Sequence, residues 1–382
     1  MKSFNKLMVT AAIGATAAMS ISAQAATSVS GNYNGLAWKA ESRVVGVTST
    51  ATIAGGGNPA FLATAPKYSG VVALIMAYSN NTSFICSGST TNGGASIVTA
   101  AHCVTPSVAG TTLLSTTAYF GGGNATNDFF NGPGTIAIGV ANVLINPNYT
   151  GEVIDQNDIA VLNLKSLAPS TAQVYDLYTA GDLTGQTFNI AGFGARSDTG
   201  GSVGANLGAG RLRQGNNSFD FRIGDAGLNG GLNFLSRNGA QVAFSFLSDF
   251  DNGLAANDTA CRIAADVGAA AGAFCNLGLG ALEVSVAGGD SGGPQFINGK
   301  LASVTSYGLS FGPDYGDIDG DLNSSFGEFN GFVPIYIHQA FIKRAFAAGV
   351  PESSTWMMMI AGFGIVGASM RRRARVTAVT FG

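Results

Sequence analysis

The run Gly288-Gly289-Asp290-Ser291-Gly292-Gly293-Pro294 places one serine hydroxyl inside a glycine cradle with an aspartate beside it. A serine is a weak nucleophile until a base takes its proton, so the run calls for a histidine and an orienting carboxylate elsewhere in the chain. The glycines have a separate reason. Backbone N–H groups can point at a developing oxyanion only where no side chain crowds the approach, and glycine also allows φ > 0.

The chain has two histidines, His102 and His338. His102 stands in Thr99-Ala100-Ala101-His102-Cys103, directly after Ser96-Ile97-Val98, which reads as a strand. A histidine just past a strand end, with Cys103 able to fasten that corner to Cys86, is a rigidly placed base. The orienting carboxylate is expected in apolar surroundings, and Asp155-Gln156-Asn157-Asp158-Ile159-Ala160-Val161-Leu162 supplies it. Asp158 directly precedes the apolar strand, whereas Asp155 is expected in solvent. A buried aspartate on an imidazole fixes its tautomer and stabilises the imidazolium.

Composition sets the class of fold. The chain of 382 residues has room for one large domain or two ordinary ones. Charged residues are 11%, against roughly 25% in an ordinary globular protein. A polar surface built of Ser, Thr, Asn and Gln, with abundant Gly, reads as secreted, turn-rich and β-dominated. The net charge of −3 makes no electrostatic case for nucleic acid. Residues 1–25 read as a signal peptide, with Lys2 and Lys6 before an apolar stretch from Leu7 and a cleavage site Ala23-Gln24-Ala25. Export permits disulfides. The four cysteines allow three pairings, and sequence distance favours Cys86 with Cys103 and Cys261 with Cys275.

Residues 26–69 form an N-terminal segment, a candidate pro-segment, without a clear helix. From Val71 onward short apolar runs alternate with Gly, Asn and Pro, the pattern of a sandwich or barrel. Gly194–Asn233 is expected as an extended loop, and Pro334 to Ala348 as a last strand followed by a terminal helix. The tail, residues 350–375, changes character: a short linker, an uncharged apolar run from Trp356 to Met370, then Arg371, Arg372, Arg373 and Arg375. Such a run rises about 22 Å as a helix, short of a hydrocarbon core near 30 Å.

Thr-Ala-Ala-His-Cys, Asn-Asp-Ile-Ala-Val-Leu and Gly-Asp-Ser-Gly-Gly-Pro, in that order, resemble the trypsin/chymotrypsin-type serine peptidases. The resemblance implies an all-β fold of two six-stranded antiparallel β-barrels with a short C-terminal helix, over a peptidase domain of residues 70–348. It implies a catalytic triad of His102, Asp158 and Ser291, an oxyanion hole from the N–H groups of Gly289 and Ser291, and protein or peptide substrates. It also implies the pairs Cys86–Cys103 and Cys261–Cys275. Ala191-Gly192-Phe193-Gly194 is similar to the family's Gly-aromatic-Gly at the start of the second barrel. Counting back from Ser291 puts Ser285 at the base of the primary pocket, with Ser306, Tyr307 and Gly308 along its wall. A neutral base implies an apolar or neutral side chain before the scissile bond, with Glu283 as an alternative pocket charge. Arg43-Val44-Val45-Gly46 is similar to an activation site, cleaved after Arg43, whose new N-terminus at Val44 would reach Asp290.

The tail resembles the PEP-CTERM sorting signal, with Val350-Pro351-Glu352-Ser353 at the place of its Pro-Glu-Pro. That implies export across the inner membrane of a Gram-negative bacterium and transient anchoring. Processing by an exosortase-type enzyme would follow, with release or attachment at the cell surface. The chemistry requires no cofactor, but numbering from Asp317 puts Asp317, Asp319, Asp321 and Glu328 at calcium-loop spacing. The competing reading there is a solvated acidic loop.

Two other functions fit parts of the pattern. Gly289-x-Ser291-x-Gly293 also matches the nucleophile elbow of an α/β-hydrolase esterase or lipase, with its acid from Asp314–Asp321 and His338 as base. A catalytically silent peptidase scaffold serving surface binding is the non-enzyme reading.

Overall fold

The computed structural model describes residues 28–41, 45–48, 59–106, 109–121, 132, 134–349 and 353–373. The segment read as a signal peptide, the Arg43-Val44 pair, residues 350–352 of the tail and Arg375 lie outside the described residues.

The first half is built from β4 (Val71–Tyr78), β5 (Ser83–Thr91), β6 (Ser96–Thr99), β7 (Leu113–Phe120), β8 (Ile136–Ile145) and β9 (Ala160–Leu164). They close into a barrel in the order β4-β5-β6-β9-β8-β7. Strand alternation sorts their apolar side chains into two cores. Val72, Leu74, Met76, Ile97, Ala160 and Leu162 share one cluster. Val71, Ala73, Val98 and Val161 share another with Val304, Val333 and Ile335 of the second half. Burial on both faces is why these segments read as continuous apolar runs.

The second half contains β10 (Thr187–Gly192), β11 (Ala195–Ser197), β12 (Arg213–Ser218), β13 (Phe221–Arg222), β14 (Phe246–Asp249), β15 (Pro294–Ile297), β16 (Lys300–Ser310) and β17 (Phe329–Pro334). Its strand order β12-β10-β15-β16-β17-β14-β13 is an open, curled path. The two-barrel plan is therefore present with one closed barrel, and the second half departs from a ring of six. Helix α1 (Thr259–Asp266) lies between β14 and β15. Helix α2 (Gln339–Ala348) follows β17 and buries Ile342 and Ala345 between the halves.

The N-terminal segment joins the second half. Strands β1 (Ser28–Tyr33) and β2 (Leu36–Glu41) form a hairpin, and β2 pairs antiparallel with β16, Gly308 facing Glu41 and Ser310 facing Lys39. Leu36, Trp38 and Ala40 alternate with exposed Ala37 and Lys39, and they enter the core that holds Tyr307, Leu309 and Phe329. Strand β3 (Val45–Thr48) pairs in parallel with β11.

The expected loop over Gly194–Asn233 instead contains β11, β12 and β13. Strand β12 has the sequence RQGNNS, which has little strand propensity of its own. Pairing with β10 imposes the strand, and the Asn189 amide adds bonds to Gln214 Oε1 at 2.7 Å and Gly215 O at 2.7 Å. Helix α3 (Ser353–Arg373) exposes Ile360, Phe363 and Ile365. No helix among the described residues is long and apolar enough to cross a membrane.

Candidate active site

His102 lies in the turn after β6, and its corner is fastened by the disulfide between Cys86 on β5 and Cys103. Closing a loop of 17 residues stabilises the fold by about 3 kcal/mol in the chain-entropy account. Cys261–Cys275 forms the second bridge. Asp158 precedes β9 and is 1% exposed. Its Oδ1 accepts the His102 backbone N–H at 2.8 Å, and its Oδ2 lies 2.7 Å from His102 Nδ1. Because a carboxylate can only accept, Nδ1 carries the hydrogen, which leaves Nε2 as the lone-pair nitrogen of the neutral ring.

Asp155, expected in solvent, is fully buried. It holds the turn that presents Asp158: Oδ2 accepts from Thr150 N and Oγ1, and Oδ1 accepts from Asn157 N at 2.9 Å. Burial raises its carboxyl above the usual carboxylate range, and these donors oppose that rise. His338 pins the same turn. Its Nε2 donates to Gln156 O at 2.7 Å, so Nδ1 is free to accept from Asn146 Nδ2 at 3.2 Å. Burial lowers its pKa below the ordinary histidine value. Both nitrogens are therefore committed structurally. The residues after Ser291 form a turn and then β15 rather than a helix, in a mostly β fold. These two findings overturn the α/β-hydrolase alternative.

Ser291 is 4% exposed and sits in the loop before β15. Ser87 on β5, which the sequence reading passed over, clamps this loop across the two halves. Its N–H donates to Ser291 O at 2.8 Å, its hydroxyl donates to Gly289 O at 2.7 Å, and Phe193 N donates to that hydroxyl at 2.9 Å. Within the described residues no hydrogen bond uses the N–H of Gly289 or Ser291. Gly292 has φ +75°, and a Cβ there would stand 1.9 Å from Thr99 Oγ1. That position requires glycine on both grounds.

The Asp290 carboxylate is held by backbone N–H groups. Its Oδ1 accepts from Gly194 N at 2.8 Å and its Oδ2 from Ala287 N at 2.9 Å. A Cβ at Gly192 would come 1.9 Å from Oδ1 and one at Gly194 2.3 Å from Oδ2, so the Gly-Phe-Gly run is what admits this carboxylate. Burial raises Asp290 from 3.8 to about 6. An acid raised in this way favours folding most below its unfolded value and loses that contribution as pH rises through about 6. The term amounts to about 3 kcal/mol at most. Asp290→Asn in the uncleaved chain is expected to gain thermal midpoint over the parent between pH 4 and pH 7. A gap that stays constant with pH counts against this assignment.

The pocket residues separate. Ser285 Oγ donates to Asn330 Oδ1 at 2.7 Å, and Ser285 lines a cleft with Gly192, Gly194, Arg213 and Asp290. Ser306 donates to Asp158 Oδ2 at 2.6 Å, so its hydroxyl braces the carboxylate rather than facing a pocket. Tyr307 is fully buried, its ring against Gly331 and its hydroxyl 2.7 Å from Ser245 Oγ, so that side chain belongs to the core. Gly308 pairs with Glu41. Glu283 turns away into the interior, where its Oε1 accepts the Asp251 N–H at 2.6 Å. Ser306→Ala is expected to lower kcat by about tenfold to a hundredfold with KM nearly unchanged, since a bond to a charged group contributes about 1.5–3 kcal/mol. Steady-state kinetics on a peptide ester measure both terms, and a change confined to KM would return Ser306 to the pocket wall.

Asp317, Asp319 and Glu328 bring carboxylate oxygens within 4.8 Å of one another; Asp321 is outside the group. Their oxygens are already engaged. Asp317 accepts from Ser310 Oγ and from Gly320 N at 3.0 Å, and Glu328 accepts from Asn323 N and Ser324 N, both at 2.8 Å.

Residues 61–216 match the family model described as Trypsin. No curated protein matches the chain. The matched segment contains His102 and Asp158 and ends within β12, before Ser291. Together with the all-β fold, that match over residues 61–216 indicates a serine-type endopeptidase.

Proposed function

We propose that the protein is an exported endopeptidase whose triad is His102, Asp158 and Ser291. His102 Nε2 takes the proton as Ser291 Oγ bonds to the carbonyl carbon of the scissile peptide. The carbonyl electron pair moves onto oxygen, where the N–H groups of Gly289 and Ser291 receive it. As the C–N bond breaks, His102 returns the proton to the leaving amine, and an acyl ester on Ser291 remains. Water then attacks that ester with His102 as base, and Ser291 departs with its proton. No step uses a metal or organic cofactor. The observation that carries this reading is the 2.7 Å contact of His102 Nδ1 with buried Asp158, which puts the lone pair on Nε2, 4.0 Å from the disulfide sulfur of Cys103. The silent-scaffold alternative loses its basis, since no triad member is missing.

The neutral Ser285, with Glu283 held inside the fold, supports an apolar or neutral side chain before the cleaved bond. A peptide library incubated with the mature protein is expected to show cleavage after such residues. Cleavage confined to Lys and Arg would overturn the preference.

Activation by cleavage after Arg43 is supported by the position of β2, whose last residue Glu41 is two places upstream and paired with Gly308. It is also supported by the cleft at Asp290, where a new α-amino group at Val44 has a buried carboxylate to meet. Arg43→Ala is expected to leave an inactive full-length chain; N-terminal sequencing of the active form tests it, and an active form beginning at Ala26 would remove the idea. The exposed apolar face of α3, followed by arginines, fits transient anchoring and an exosortase-type processing enzyme at the cell envelope.

A further inference from the structure

The second half of the fold holds a group of buried acids that peptide hydrolysis does not use. Asp249 ends β14, Asp251 follows it, and Asp258 caps α1. Each offers a carboxylate oxygen within 4.8 Å of the others. They are 1%, 3% and 3% exposed. Asp249 Oδ2 accepts from Ala260 N at 2.7 Å, and Asp258 Oδ1 accepts from Cys261 N at 2.9 Å. Asp251 is different: among the described residues neither of its carboxylate oxygens has a hydrogen-bond partner. The ion pairs of the described residues are elsewhere.

A buried carboxylate without partners is among the most costly groups a fold can contain, and neighbouring carboxylates add repulsion. Protonation removes one charge but leaves the geometry unanswered, because the new O–H needs an acceptor and the other oxygen a donor. The Asp317 loop shows the contrast, since its buried oxygens are answered by its own N–H and O–H groups.

We propose that Asp249, Asp251 and Asp258 bind a single calcium ion. An oxygen-only set of carboxylates selects a hard cation over zinc. Magnesium retains several waters of its own, and side chains this deeply buried leave little room for them, which favours calcium. The ion would join the end of β14 to the start of α1. Through Glu283, whose carboxylate accepts from Asp251 N, it would also brace the loop that leads to Ser285 and Ser291. It therefore stabilises the scaffold of the pocket and takes no part in the chemical steps.

The test uses the full chain with Ser291→Ala, which cannot digest itself, stripped with EDTA and dialysed. Millimolar CaCl2 is expected to raise its thermal midpoint by about 5–10 °C, and equilibrium dialysis to retain one calcium per chain. Asp251→Asn and Asp258→Asn are expected to abolish the rise, whereas Asp317→Asn keeps it. Asp258→Asn is the more secure variant, because asparagine caps a helix as well as aspartate does and only the charge is lost. The proposal is overturned by an unchanged midpoint with no calcium retained, or by a rise that survives Asp258→Asn. It is equally overturned by a rise lost in Asp317→Asn alone, or by an equal rise with MgCl2.

Discussion

Ser291→Ala lowers kcat for peptide hydrolysis by about 10⁴- to 10⁶-fold and eliminates labelling by a fluorophosphonate. The size follows from chemistry. With the Oγ gone there is no covalent intermediate, and only oxyanion stabilisation and substrate positioning continue to act. The fold should scarcely register the change. What holds the Ser291 loop is backbone, through Ser87 N to Ser291 O at 2.8 Å and Gly292 N to Thr305 O at 2.8 Å. The thermal midpoint is therefore expected to stay within about 0.5 kcal/mol equivalent of the parent. Retained labelling, or turnover within tenfold of the parent, would defeat the assignment of Ser291. A collapse in stability would instead show that the hydroxyl is structural.

Asp158→Asn is expected to lower kcat by about 10⁴-fold at neutral pH. Asp158 accepts three donors: the His102 N–H on Oδ1, and His102 Nδ1 and the Ser306 hydroxyl on Oδ2. An amide keeps only one acceptor. If its oxygen stays with the His102 backbone, its NH2 faces Nδ1, the ring hydrogen moves to Nε2 and the base is lost. If the amide flips, the buried His102 N–H loses its acceptor, at a cost of about 1–3 kcal/mol. Both orientations are penalised, one in rate and one in stability. Kinetics and thermal unfolding of the same sample separate them, and a rate loss below tenfold without destabilisation would show that Asp158 does not orient the ring.

The legibility of this protein divides by how far its constraints reach along the chain. His102, Asp158 and Ser291 stand out as the proposed triad because each lies in a short context that restricts its backbone: a strand end braced by Cys103, the entry to an apolar strand, and a glycine turn. Asp155 was misplaced because its neighbours Gln156 and Asn157 are polar, and the sequence does not show that Thr150 turns back to cover it. Strand β12 was missed because its partner β10 supplies the pairing that its own residues do not favour. Ser87, between a cysteine and a glycine, carries no local signal at all.

The sequence by itself determined the β-rich class and the serine-peptidase reading, and it marked the three side chains proposed as the triad, because glycine turns, strand ends and apolar runs constrain residue type within a few positions. Only the tertiary structure decided that Ser306 belongs to Asp158, across 148 residues, and that Ser87 belongs to Gly289, across 202. It also decided that β2 extends the sheet at β16 and that Asp251 is buried without a partner beside Asp249 and Asp258. These are contacts between groups distant in the chain. Hydrogen bonding and charge burial depend on which surfaces the two halves bring together, and no local pattern records that.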